Sequence, residues 1–117
     1  MRLFCFLIGV VVGLASLSSA EPARIAPRPL AAALHAMEGD RWDIAARLAE
    51  RDGPAASALI EWYRLSDGQG TPAEVLEFLV AHDDWPGLDY LRRQSEERMA
   101  DDATDSQILA FFDGHLP

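Results

Sequence analysis

Cysteine appears once in these 117 residues, at Cys5, and lysine does not appear at all, so each of the 10 basic residues is an arginine. The one long apolar run, Leu3 to Ala15, is shorter than the roughly 20 residues a membrane-spanning helix needs. Alternation of the strand type is nowhere sustained. Each shortage excludes something. A lone cysteine excludes a disulfide framework and cysteine-based zinc sites. Ten basic residues against 19 acidic ones give a formal charge of -9, without the clustered positive charge that nucleic acid or an anionic membrane surface requires. The acidity reads as a solubility property, with single arginines left for carboxylates or phosphates.

The amino terminus has the order of a secretory signal. Arg2 supplies the positive start, Leu3 to Ala15 the apolar stretch, and Ser18-Ser19-Ala20 the small residues that predict cleavage before Glu21. Cys5 would leave with residues 1–20, so thiolate chemistry is excluded from the mature chain, which is expected in the periplasm. Residues 21–28, with Pro22 and Pro27, read as an extended leader, and residues 29–117 as the folded part.

From Pro29 onward apolar residues recur three and four apart, punctuated by proline, glycine and acidic caps. The first helix carries Leu30, Ala33, Leu34 and Met37 and stops at Gly39, with Asp40 capping the second. That helix, from Arg41 to Arg51, carries Trp42, Ala45, Leu48 and Ala49. A third, Pro54 to Ser66, presents Ala55, Ala58, Leu59 and Trp62. Thr71 and Glu74 have the spacing of a capping box before a fourth with Val75, Leu76, Phe78 and Leu79. Asp84 and Pro86 predict a fifth from Trp85, with Leu88, Leu91, Ser95 and Met99 inward. Thr104-Asp105 opens a sixth, carrying Ile108, Leu109, Phe111 and Phe112. Six helices with short turns make three hairpins, expected to stack as an all-α, right-handed superhelical array (an α-α solenoid) rather than a compact bundle. Phe111, Phe112 and Leu116 read as an exposed apolar end, expected of a truncated solenoid.

No arrangement in this sequence performs chemistry on its own. His82-Asp83-Asp84 and His35/Glu38 invite a metal, but a helix cap and a surface pair account for them. Glu96-Glu97 and Asp101-Asp102 are adjacent carboxylates that point apart on a helix. Ser57, Ser66 and Ser95 lack a nucleophile's setting, and Gly68-Gln69-Gly70 has no lysine for a phosphate loop. Arg92 and Arg93 are expected to pair with Glu96 or Glu97. Trp42, Trp62, Trp85 and Pro86 read as corner residues and packing anchors, although tryptophans can also stack on sugars. No catalytic, cofactor-binding or metal-binding residue is assigned.

Taken together, Asp40-Arg-Trp-Asp-Ile-Ala-Ala-Arg47, Ala58-Leu-Ile-Glu-Trp62, Glu77-Phe-Leu-Val-Ala-His-Asp-Asp-Trp-Pro-Gly-Leu88, Leu91-Arg-Arg93 and Ile108-Leu-Ala-Phe-Phe112 resemble the amino-terminal region of soluble lytic murein transglycosylases. The resemblance implies a periplasmic helical superhelix that scaffolds a lysozyme-like lyase domain acting on peptidoglycan. The family's catalytic Glu-Ser pair is absent from this sequence, so no catalytic residue carries over and the chain alone is expected to be inactive. Its partners would be glycan strands or the missing catalytic domain. The alternative is a free-standing periplasmic helical-repeat module that binds a protein or peptide.

Overall fold

The computed structural model describes residues 28–115. The expected signal, most of the leader and Leu116 lie outside these residues. The described part is all-helical: α1 (Pro29–Glu38), α2 (Trp42–Glu50), α3 (Pro54–Ser66), α4 (Pro72–Ala81), α5 (Leu88–Asp102) and α6 (Asp105–Phe112), with no strand among the described residues. Each helix packs only on helices one or two places away in sequence. Of those neighbour pairs, α2 with α4 is the only one out of contact.

Two cores share α3. The first joins α1, α2 and α3 through Ala33, Ala36, Ala45, Ala49, Ala56 and Ile60. Small side chains let these three helix backbones approach closely while burying little apolar area apiece. The second joins α3 to α6 through Ala58, Leu65, Val75, Phe78, Leu79, Leu91, Met99 and Phe111. The expected stripe of α3 is therefore replaced by two faces. Ala56 and Ile60, four apart, serve the first core; Ala58 and Leu65 serve the second, while Ala55 is exposed. A helix packed on both sides carries two overlapping periodicities, and one stripe cannot describe it.

Helix ends depart from expectation at three places. Asp40 does not cap α2. It stands at φ 57 beyond the end of α1, where its N–H reaches Met37 O and that of Arg41 reaches Ala36 O. These two bonds close a Schellman turn with Asp40, not Gly39, in the left-handed place. Asp84 likewise does not cap α5, which starts at Leu88 after Gly87, leaving Pro86 exposed in the preceding turn. The start of α1 is served from a distance: Asp52, in the turn before α3, accepts the Leu30 N–H at 3.0 Å and pairs with Arg28 at 3.2 Å. The capping boxes of α4 (Thr71, Glu74) and α6 (Thr104, Gln107) are both formed.

The apolar end also differs. Phe111 is only 1% exposed, packed edge-on to Phe112, while Arg92 donates to its carbonyl at 2.8 Å and stacks over its ring. Arg92 thus fastens α6 onto α5 and is not held by Glu96 or Glu97. Val80 (81%) and Leu109 (74%) are the most exposed of the large apolar side chains among the described residues.

Candidate functional site

A cleft of about 590 Å³ opens between the start of α2 and the turn that follows α3. Its walls are Asp40 and Arg41 from the Schellman turn, Trp42, Asp43, Ile44 and Arg47 from α2, Arg64 from α3, and Gln69 and Gly70 from the following turn. Asp43 and Arg47, four apart, share one face of α2 because a helix repeats every 3.6 residues. Neither Arg41 nor Arg47 is within salt-bridge distance of a carboxylate among the described residues.

Arg64 is the fixed part of the wall. It donates to both Glu61 oxygens (2.9 and 2.7 Å) and to Glu74 at 2.8 Å. Hydrogen bonding to Glu61, reinforced by Glu74, raises its pKa further above an already high arginine value. Glu74 accepts the Thr71 N–H at 2.6 Å, and this bond, helped by Arg64, holds its carboxyl below the ordinary glutamate value. The turn that carries Gln69 passes through Gly70 at φ 86. A Cβ there would sit 2.8 Å from Leu65 Cδ2 and 2.9 Å from Glu74 Oε2, so glycine is required. The Trp42 indole N–H is buried without a partner among the described residues, which leaves one donor of the wall unsatisfied.

Trp62 and Trp85 sit at a different corner. The Trp62 indole donates to the Gly87 carbonyl at 3.0 Å and packs at a tilt against Tyr90, tying α3 to the start of α5. Trp85 lies against Phe78 and His82, whose rings are 4.4 Å apart. His82 is thus an aromatic neighbour here, and no group of three His, Cys, Asp or Glu converges among the described residues. His35 and Glu38 approach to 3.7 Å on the exposed side of α1. A second, mainly apolar groove of about 520 Å³ runs between α1 and α3, with Leu30, Leu34, Ala55 and Leu59 on its walls and Trp85 at one side.

Ser95, expected inward, is buried with its hydroxyl unpaired among the described residues. The cleft is not legible in the sequence because its residues come from the Schellman turn, the start of α2, α3 and the turn after it. The run Asp40 to Arg47 stands out as part of the resemblance and Gly68-Gln69-Gly70 as a turn, but nothing in the sequence joins the two. No protein family, curated protein or solved structure matches this chain.

Proposed function

We propose that this chain is a periplasmic helical-repeat scaffold of the cell-wall machinery, the role its resemblance to the amino-terminal region of lytic transglycosylases implies. Its task is to hold peptidoglycan strands for a lyase domain, and it cleaves nothing itself. The observation that supports this reading is neighbour-only packing: among the described residues each helix rests only on helices one or two places away in sequence, as the units of a helical-repeat array do. A right-handed superhelical stack of hairpins is the arrangement proposed. Cleavage of a glycosidic bond requires a positioned acid. The carboxylates most firmly held here, Glu61, Glu74 and Asp52, are engaged in arginine pairs and helix capping.

The test is cosedimentation of the mature chain, residues 21–117, with purified peptidoglycan sacculi, together with a search for released anhydro-muropeptides. Retention without release is expected. Absence of retention, or release of products, would refute the scaffold role. One observation favours a second reading, a protein-interaction module: the apolar groove between α1 and α3 has the character of a peptide site.

A further inference from the structure

We infer that the cleft at the start of α2 is a saccharide site, built for the uncharged, N-acetylated backbone of a glycan strand. The inference rests on the scaffold reading and names where on the chain its ligand sits. The cleft lies between the start of α2 and the turn that follows α3, with the fixed guanidinium of Arg64 at its base, so part of its wall is set by the fold and not by exposed side chains alone.

Charge narrows the ligand. Arg41 and Arg47 face the cleft together with Asp40 and Asp43, while the guanidinium of Arg64 is already met by Glu61 and Glu74. A polyanion would meet carboxylates beside each free arginine, and a polycation would meet the arginines. An apolar segment would find Ile44 and part of Trp42 among mainly polar walls. The chemistry that fits is neutral, with a donor and an acceptor at nearly every position, which describes sugar hydroxyls and acetamido groups. Arginine offers only donors, carboxylates only acceptors, and the Gln69 amide both, all on planar groups able to address neighbouring hydroxyls two at a time. Trp42 and Ile44 supply apolar surface for the C–H face of a pyranose ring. The Arg64 network and the Gly70 turn hold one wall in place before binding, which lowers the ordering cost of a weak polar ligand.

The experiment is a titration of the mature chain with the N-acetylglucosamine tetramer, by calorimetry and tryptophan fluorescence, repeated on Arg47→Ala and Asp43→Ala. Both side chains are exposed, so circular dichroism should report unchanged folding. Each variant is expected to bind about tenfold more weakly, the effect of removing one charged hydrogen-bonding group. Undiminished affinity in both variants overturns the site, as does failure of the wild type to bind the tetramer or preferential binding of a short peptide or of heparin. Sacculi separate the two levels: wild-type retention with unaffected variants removes the cleft and leaves the scaffold reading. Tetramer binding without sacculus retention removes the scaffold reading and leaves the cleft.

Discussion

Replacing Gly87 by alanine should be among the most damaging single-methyl changes in this chain. Gly87 stands at φ 145, ψ 11, immediately before α5, and its carbonyl accepts both the Leu91 N–H and the Trp62 indole N–H at 3.0 Å. An added Cβ would lie 3.0 Å from Trp62 Cζ2, 3.1 Å from Cε2 and 3.2 Å from Nε1. A sparsely populated backbone geometry costs about 1–3 kcal/mol and overpacking a further 1–3 kcal/mol, so the expected loss is about 2–6 kcal/mol. Trp62→Phe should cost less on the hydrogen-bond side, about 1 kcal/mol, because the Gly87 carbonyl keeps its bond from Leu91. The smaller ring leaves room for the methyl, so the double variant should lose at least about 1 kcal/mol less than the sum of the singles. Urea unfolding followed by circular dichroism measures all three. A Gly87→Ala change within about 0.5 kcal/mol of wild type, or strict additivity, would show that the indole does not press on this turn.

Ser95→Ala should stabilise the protein by about 1 kcal/mol in the same assay, since it removes a buried, unpaired hydroxyl facing Leu91 and Met99 on one side of α5. Asp40→Gly should also raise stability, by about 1 kcal/mol, because glycine adopts the left-handed place of a Schellman turn without the Cβ penalty; a thermal melt suffices to check it. Acid should weaken the fold through Glu74 and Asp52, both held below their ordinary values of 4.5 and 3.8 by backbone N–H bonds and arginine partners. A lowered folded-state value means stability present above the ordinary value and lost as pH falls through the folded one. Glu74→Gln should therefore flatten part of the acid limb of a stability-against-pH curve.

The sequence made the helix count, the capping box of Thr71 and Glu74 and the inward face of α5 legible, because each is written in residues three or four apart. It misled where a signal is shared between two roles. Gly39 and Asp40 both suit the end of α1 and the start of α2. The chain resolves this by putting aspartate in the left-handed position, so Asp40 ends one helix instead of opening the next. Asp84-Trp85-Pro86 has the composition of a helix start, yet Gly87 alone supplies the backbone geometry that α5 needs next to the Trp62 ring. Contacts between distant parts were invisible: Asp52 serves α1 across 22 residues, and Arg92 reaches the Phe111 carbonyl across 19. Phe111 consequently lies inside the fold and is not part of the exposed apolar end expected from its sequence neighbourhood.

The most direct measurement of the central claim, that this chain carries glycan strands on a surface opened by its helix packing, is amide chemical-shift mapping with soluble glycan fragments added to the mature chain. Shifts concentrated at Asp40 to Arg47 and at Gln69 and Gly70, with the α1–α3 groove silent, are the predicted result. Shifts confined to Leu30, Leu34 and Leu59, or none at saturating glycan, would contradict it.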